Sequence, residues 1–383
     1  MSLEPDMTDR SIVCFAREAG GAEAIAPVVK LLQEKRTVYL FAKDHALKVF
    51  ARHSLACKDI SSCSISSDLD ALLGNFSPSF ILTSATSLPW LDMTERYLWK
   101  WGQSHNIPTM GVIDQWQNYA LRFSGTHEDE RLAYLPDYIC TLDLCAKEHM
   151  IAEGIPEDRI FVTGQPAFDA ILHYQREFFE SGKKIHEILG IDRENNKIII
   201  FVSEVVFRDF QSNLGYTEVD ALRILLDTLM TESRLDKINK YTLIIKLHPQ
   251  NIREDFCIID FEKYRNFFDI IWVGTELPPR DVVMIADIVI GMASILLVES
   301  ILLNKLTISL QPNAINDDNL IATKIGAIPL IREKEEFRRL FHLLLTHDNF
   351  RLEYLTTETK LRVDGHAANR VNNYIERILG RRT

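Results

Sequence analysis

The sequence lacks any apolar run long enough to cross a membrane. A membrane-spanning helix needs about 18 predominantly apolar residues, and the longest candidate, VVMIADIVIGM, is interrupted by Asp287 and Gly291. The opening residues, MSLEPDMTDR, are acidic and carry no apolar segment of the kind found in secretory signals. Both absences predict a cytoplasmic protein.

Cysteine, proline and glycine are also scarce. The 383 residues include 6 Cys, 13 Pro and 16 Gly, which excludes disulfide scaffolds, collagen-like chains and disordered chains rich in Pro and Gly. The cysteines form no CxxC pair and have no zinc-type spacing with histidine. Cys14 and Cys140 lie in apolar runs, so we expect buried, reduced thiols there.

Basic side chains are fewer than acidic ones. Lys and Arg number 43 against 54 Asp and Glu, which gives a net charge of −11. Non-specific nucleic-acid binding needs basic side chains that neutralise phosphates, so we expect no nucleic-acid partner. A hydrophobic fraction of 46% and a charged fraction of 25% are typical of soluble globular proteins.

The sequence does contain a regular alternation of short apolar runs and amphipathic segments. Runs such as SIVCFA, SFILTSA, KIIIFVSE and DIVIGM are almost continuously apolar, which is typical of parallel strands covered by helices on both faces. The alternation predicts an α/β fold of two Rossmann-like, doubly wound domains that face each other across a cleft. We expect an N-terminal domain over 1–170, a helical linker over 171–196, a C-terminal domain over 197–365 and a C-terminal helix over 366–383.

The first apolar strand leads into FAREAGGAEAI, where Gly20 and Gly21 precede a helix. Glycine lets backbone amides approach a ligand at the positive end of a helix. The segment lacks the GxGxxG pattern of dinucleotide sites. We therefore assign Arg17, Gly20 and Gly21 to the binding of an acceptor substrate; the alternative is a tight turn without a ligand.

The segment GVIDQWQNYALRF combines an acidic residue at a strand end with aromatic and polar side chains. Ligands of open α/β sheets bind at the carboxyl ends of strands, which is where Asp114 falls. We assign Asp114 as the general base that deprotonates an attacking hydroxyl. Trp116, Asn118 and Arg122 are assigned to the acceptor, through ring stacking and hydrogen bonds. The alternative is a helix cap followed by core aromatics.

Two strand ends in the second half carry polar side chains. Ser203 and Glu204 follow KIIIFV, and Arg208 comes shortly after them. Lys246 and His248 end the next strand, where alternate residues point to the same face. A Lys–x–His pair suits the anchoring of a pyrophosphate or the protonation of a leaving group, although a lone histidine in a protein interior is the common alternative.

The segment ADIVIGMASILLVES is the strongest local signal. A strand ends at Gly291, and Met292, Ala293 and Ser294 lead into a helix that contains Glu299. The free amides at a helix start favour an anion, and Ser294 either caps the helix or donates to a phosphate. We assign Met292, Ala293 and Ser294 to a donor phosphate site.

IIKLHP, followed further along by ADIVIGMASILLVESILLNKLTIS, resembles the nucleotide-binding half of GT-B glycosyltransferases. The pattern is shared by UDP-N-acetylglucosamine 2-epimerases and CDP-glycerol glycerophosphotransferases, and VTGQPAFDA is similar to a VTGNP-type segment of that superfamily. The resemblance implies that Ser294 contacts the donor diphosphate and that Glu299 binds the ribose. The resemblance also places Lys246 and His248 at the donor phosphates. His248 is thus a second predicted catalytic residue, in addition to Asp114.

The resemblance further implies an activity and its substrates. We expect transfer of a sugar or polyol phosphate from a nucleotide donor to a glycan or lipid-linked acceptor of a surface polysaccharide, with Ser203, Glu204 and Arg208 also on the donor side. GT-B enzymes generally need no metal, so no cofactor is expected. Asp68-Leu69-Asp70 is the only Asp-x-Asp, and its polar surroundings predict a helix start instead of a metal site.

Two other activities stay open. An epimerase or hydrolase on the same scaffold is disfavoured because GMASILLVES stands where the epimerases have Gly-Gly-x-Gln-Glu-Glu. The second alternative is a degenerate scaffold without catalytic activity, which serves as a binding or assembly subunit. The basic residues Arg377, Arg381 and Arg382 offer a contact with the inner membrane face, although most charge groups this short are solvated tails.

Overall fold

The computed structural model describes residues 11–63, 66–74, 76, 78–171, 184–210, 213–236, 238–316, 318, 320–356 and 363–381. The chain divides into two compact units. The first unit comprises Met1–Ala170 and Val363–Thr383, and the second unit comprises Ile171–Arg362. The expected linker over 171–196 falls in part on residues 172–183, which lie outside the described residues.

The first unit is built on a seven-stranded parallel sheet. Its strands are β1 (Ile12–Ala16), β2 (Val38–Ala42), β3 (Lys58–Asp59), β4 (Phe80–Ser84), β5 (Thr109–Val112), β6 (Tyr138–Thr141) and β7 (Ile160–Val162). The helices between them are α1 (Ala19–Gln33), α2 (Asp44–Arg52), α3 (Ser66–Leu73), α4 (Thr94–Ser104), α5 (Tyr119–Arg122) and α6 (Leu144–Ala152). The strand order is β3-β2-β1-β4-β5-β6-β7, and every pairing is parallel.

The central strands are buried along their whole length because helices cover both faces of the sheet. All five residues of β1 and all five of β4 are buried. Alternate residues of β1 serve different cores: Ile12 and Cys14 pack with α1, whereas Val13 and Phe15 pack with α3 and α4. Burial of each large aliphatic or aromatic side chain contributes about 1.5–3 kcal/mol.

The second unit repeats this design on a six-stranded sheet. Its strands are β8 (Asn196–Val202), β9 (Lys240–Lys246), β10 (Asp269–Val273), β11 (Ile288–Gly291), β12 (Leu306–Leu310) and β13 (Leu330–Ile331). Its helices are α7 (Val206–Phe210), α8 (Glu218–Leu235), α9 (Glu262–Arg265), α10 (Pro279–Met284), α11 (Ile295–Leu302), α12 (Ile321–Lys324), α13 (Lys334–Thr346) and α14 (Asp348–Thr356). The strand order is β10-β9-β8-β11-β12-β13, again all parallel.

The C-terminal helix α15 (Ala367–Gly380) belongs to the first unit. Asp169 accepts hydrogen bonds from the backbone amides of Ala367 and Ala368, at 3.0 and 2.7 Å, and so caps the helix start. Arg36 pairs with Glu376 further along the helix, with hydrogen bonds of 2.9 and 2.5 Å. The helix therefore joins the first unit through a cap and an ion pair as well as through its buried face.

The predicted α/β fold of two doubly wound, Rossmann-like units is confirmed. Asp68 and Asp70 lie in α3, in agreement with the predicted helix start. Among the described residues, none of the helices has both the length and the hydrophobicity to span a membrane. Of the basic C-terminal side chains, Arg377 lies over the ring of Tyr374, 5.8 Å from its centroid, and Arg382 lies outside the described residues.

Candidate functional site

Each unit has one point where the strand order reverses, and the predicted site residues gather there. In the first unit the reversal lies between β1 and β4, and in the second unit between β8 and β11. Successive connections leave such a point toward opposite faces of the sheet, which opens a crevice at the carboxyl ends of the two strands. The two crevices are described separately.

In the second unit, a carboxylate bridges the reversal point. Glu204 follows β8, and its Oε1 accepts hydrogen bonds from the backbone amides of Met292, at 3.1 Å, and Ala293, at 2.8 Å, which follow β11. The backbone amide of Ser294 also helps to lower the pKa of this carboxyl group. The amides predicted to face a donor phosphate therefore hold an anion, and that anion belongs to the chain itself.

The environment of Glu204 disfavours its charged form. Burial raises the pKa of Glu204 to about 7, and the hydrogen bonds from Ala293, Met292 and Ser294 oppose that shift. Desolvation penalises a carboxylate, whereas amide donors stabilise it. The balance leaves Glu204 close to half-protonated near neutral pH.

Ser294 begins α11 in the way the sequence suggested. Its Oγ accepts a hydrogen bond from the amide of Leu296 at 3.3 Å, so Ser294 is the N-cap. The loop that contains Met292 is held from the next strand, because Ser309 and Gln311 donate to the carbonyl of Met292 at 2.5 and 3.1 Å. Side chains from β12 and the residue that follows it thus fix the shape of this turn.

Ser203, which also follows β8 and is predicted to lie on the donor side, holds the neighbouring loop. The hydroxyl of Ser203 donates to Oδ1 of Asn251 at 2.6 Å. The amide of Asn251 donates to the carbonyl of His248 at 2.9 Å. Ser203 therefore supports the turn that carries His248 and does not point at the amides of α11.

Lys246 and His248 have different environments. Lys246 is buried, and its Nζ donates to the carbonyls of Gly274, at 2.5 Å, and Leu247, at 3.1 Å. Burial lowers the pKa of Lys246. His248 is half-buried, and its Nδ1 accepts from the amide of Gln250 at 3.2 Å. That bond assigns the proton of the neutral ring to Nε2, which leaves Nε2 as a donor.

Arg208 lies on the surface beside the same turn. Its guanidinium donates to the side-chain oxygen of Gln250, and it pairs with Asp209 at 3.1 Å. Half of the Arg208 side chain is exposed. The structure thus brings Arg208 and His248 to one loop through Gln250.

Glu299 has a partner that the sequence did not reveal. Arg280 of α10 donates to Oε2 and Oε1 of Glu299, at 3.1 and 2.9 Å, in a two-pronged ion pair. The side chains are 19% and 15% exposed, so neither is freely solvated. Arg280 lies in the short helix that precedes β11, and no spacing rule links it to Glu299.

In the first unit, the glycine pair lets α1 approach the ends of β4 and β5. A β-carbon at position 20 would lie 2.6 Å from Oδ2 of Asp114, and one at position 21 would lie 2.5 Å from Cβ of Ser84. Real β-carbons essentially never make contacts this short, so a side chain at either position would force Asp114 or Ser84 to shift. The approach places the start of α1 directly against Asp114.

Asp114 is held in a polar network at the end of β5. Arg122 is buried, and it donates to Oδ1 of Asp114 at 2.7 Å and to the carbonyls of Gln117 and Ala85. Gln165 donates to the carbonyl of Asp114 at 2.8 Å. Arg122, assigned from sequence to the acceptor, therefore positions Asp114 in this structure.

Trp116 and Asn118 each have a local structural role. Trp116 is buried, its indole N–H donates to Asp143 at 2.6 Å, and its ring stacks on Phe168 with centroids 6.3 Å apart. Asn118 is exposed and has a φ of 57°, a left-handed conformation that asparagine tolerates well. Asn118 alone of the two presents its side chain to solvent.

The turn after β1 contains two charged residues. Arg17 donates to Asp44 at 2.6 Å and to Glu18 at 2.7 Å. Burial raises the pKa of Glu18, with Arg17 opposing the shift and the charges of Asp44 and Asp114 adding to it. Glu18 is thus a second acidic group near Asp114, and sequence reasoning did not single it out.

A buried glutamate lies beneath this turn. Glu95 of α4 accepts hydrogen bonds from the hydroxyl of Ser84, the last residue of β4, and from the amide of Thr86 just after the strand. Burial raises the pKa of Glu95 to about 7. Glu95 fixes the loop after β4, against which Gly21 packs.

Within the described ranges, no group of three or more His, Cys, Asp or Glu side chains could hold a metal ion. The expectation that the protein needs no metal stays a prediction.

Neither a protein-family model nor a curated protein matches the sequence. Solved structures match it in fold. UDP-GlcNAc 2-epimerase from Neisseria meningitidis, bound to UDP-GlcNAc, has a TM-score of 0.74 at 14% identity, over 96% of this chain and 100% of that one. The Anabaena protein Alr3699/HepE, in complex with UDP-glucose, has a TM-score of 0.63 at 12% identity, over 96% and 99%.

A third match is a glycosyltransferase from Rickettsia africae, with a TM-score of 0.59 at 14% identity, over 98% of this chain and 100% of that one. All three cover almost the whole of both chains, so the likeness includes both sheets. The identities are too low to transfer an activity. Together with the two doubly wound parallel sheets, these matches show that the chain has the GT-B fold.

Proposed function

We propose that this protein is an enzyme that binds a nucleotide donor in the second unit and transfers its sugar, or its polyol phosphate, to an acceptor of a surface glycan. The observation that carries the proposal is the set of amides at Met292, Ala293 and Ser294, which face an anion at the strand-order reversal. Backbone amides at a helix start are a general phosphate site. The solved GT-B proteins with UDP-GlcNAc and UDP-glucose support a nucleotide sugar as the ligand.

In this proposal the start of α11 stabilises the leaving nucleoside diphosphate. Negative charge develops on the phosphate as the bond to the sugar breaks, and fixed amide dipoles offset it without reorganisation. His248 donates from Nε2 to the same phosphates, because its Nδ1 already accepts from Gln250. Lys246 supports the site indirectly, because its ammonium donates a hydrogen bond to the carbonyl of Gly274 and so holds that loop.

Asp114 is the proposed base for the acceptor hydroxyl. Arg122 and Gly20 hold it at the end of β5, where ligands of such sheets bind. A carboxylate in this role removes the proton as the hydroxyl attacks. Asn118 is exposed and follows Asp114 closely in the sequence, and it remains a candidate for acceptor binding together with Arg17.

A UDP-sugar 2-epimerase is the second candidate. The structure with a TM-score of 0.74 is such an enzyme, and a shared fold does not separate the two activities. The sequence lacks the epimerase helix start, which favours transfer. Incubation with UDP-GlcNAc alone separates them, since an epimerase converts its substrate without any acceptor.

The nucleotide site is tested by a thermal-shift screen with UDP, CDP, GDP, TDP and CMP at millimolar concentrations. A ligand that binds the folded state raises Tm by mass action. We expect one nucleotide to stand out, and its sugar conjugates then define the donor for product analysis. No response to any nucleotide would contradict the proposal and favour a scaffold that has lost its substrate.

A further inference from the structure

The carboxylate of Glu204 occupies amides that the helix does not need it to satisfy. Helix α11 already has its own cap, because the Oγ of Ser294 accepts from Leu296. Glu204 comes from the end of β8, a different strand, and reaches across the reversal point to the amides of Met292 and Ala293. The N-cap of a helix is the residue that adjoins it in sequence, so Glu204 is not an N-cap of α11.

Keeping a carboxylate there is costly. Other acidic groups surround it: Glu218 is buried nearby and accepts from the amide of Phe207 at 2.9 Å, and its charge adds to the raised pKa of Glu204. Burial raises the pKa of Tyr216, the charges of Glu204 and Asp318 add to that shift, and Arg332 opposes it. An apolar side chain at position 204 would avoid the cost of burying a carboxylate, but the amides of Met292 and Ala293 would lose this acceptor.

We propose that Glu204 is an internal competitor for the donor phosphate: its carboxylate holds the amides of Met292 and Ala293 until a diphosphate displaces it. The inference rests on the proposed function, since it concerns the same amides. Two anions cannot share one set of donors, because each amide N–H supplies one hydrogen bond and like charges repel. Nucleotide binding therefore requires the Glu204 side chain to leave the amides.

The test compares the affinity for inorganic pyrophosphate and for UDP, by isothermal titration calorimetry near pH 8. The proteins are the wild type, Glu204→Ala, Glu204→Gln and a control, Glu335→Gln. Glu335 is a glutamate of α13 in the same unit whose side chain is 68% exposed, so its replacement removes one negative charge away from α11. Glu204→Gln keeps the size of the side chain and guards against misfolding of the alanine variant.

We expect both Glu204 variants to bind pyrophosphate at least about tenfold more tightly than the wild type and the control, since they remove a competing anion. Equal or weaker pyrophosphate binding by both would overturn the inference. Tighter pyrophosphate binding with no preference for UDP in any protein would support the inference and contradict the proposed nucleotide function. Binding of neither anion by any protein would contradict both.

Discussion

The guanidinium of Arg280 holds both carboxylate oxygens of Glu299, at 2.9 and 3.1 Å. The pair joins α10 to the middle of α11, the helix whose start carries the proposed phosphate site. Glu299 thus has a structural partner in addition to the ribose contact that the resemblance implies. The two roles predict different effects for substitutions on the two sides of the pair.

Glu299→Gln is expected to weaken binding of the cognate nucleotide by roughly tenfold, as for a lost charge-assisted hydrogen bond. Arg280→Ala is expected to lower the free energy of unfolding by about 1–3 kcal/mol, because it leaves a half-buried carboxylate without this cation. Calorimetric titration and urea unfolding measure the two effects separately. If nucleotide affinity is unchanged in a folded Glu299→Gln protein, Glu299 does not contact the ribose.

Asp114→Asn should lower turnover by roughly 10²-fold or more, because an amide cannot accept the proton of the acceptor hydroxyl. The substitution preserves the packing against Gly20 and leaves Arg122 an oxygen to bond. Asp158→Asn, in the short 3-10 turn before β7, is the control for loss of one carboxylate in the same unit. The proposed base would be wrong if Asp114→Asn turned over donor and acceptor at the wild-type rate.

Gly20→Ala and Gly21→Ala should each lower the free energy of unfolding by about 1–3 kcal/mol, as expected for overpacking. The added methyl groups would meet Asp114 and Ser84 at 2.6 and 2.5 Å. Gly380→Ala is a matched control at the end of α15, where a β-carbon meets nothing within 4 Å; it should be neutral or slightly stabilising. Urea unfolding midpoints check all three, and equal stabilities would refute the close approach.

The buried carboxyl group of Glu95 is expected to make a contribution to folding stability that falls as pH rises. Its pKa is raised from 4.5 in the unfolded chain to about 7 in the fold, so the folded state binds the proton more tightly. This contribution is fully present below about pH 4.5 and is lost as pH rises through 7. At about 1.4 kcal/mol per pKa unit, it amounts to roughly 3 kcal/mol.

The measurement is urea unfolding of the wild type and Glu95→Gln at about pH 5 and pH 8. Glutamine can still accept from Ser84 and Thr86, but it does not titrate. The loss of stability between the two pH values should be smaller in the variant by roughly 2.5 kcal/mol, because a part of the contribution is already lost at pH 5. Identical pH dependence in both proteins would show that Glu95 is not a buried, perturbed carboxylate.

Periodicity was enough to predict the two parallel sheets, because buried central strands such as β1, β4 and β8 contain continuous apolar runs and stand out from amphipathic helices. It was not enough for β3 and β13, which have two residues each. Strands this short carry no repeat, and they exist because the neighbouring strand offers unpaired backbone groups. The placement of α15 on the first unit was likewise open, since an amphipathic helix shows that a face is buried but not against what.

The sequence by itself determined that polar residues follow β1, β5, β8, β9 and β11, because strand ends and turn residues are local features. Only the tertiary structure decided which of these residues meet. The Glu204–Ala293 and Arg280–Glu299 contacts join residues far apart in the chain, and the contact of Gly20 with Asp114 depends on the strand order. Such contacts form when strands pair in space, and that pairing is settled by the whole core and not by the residues that touch.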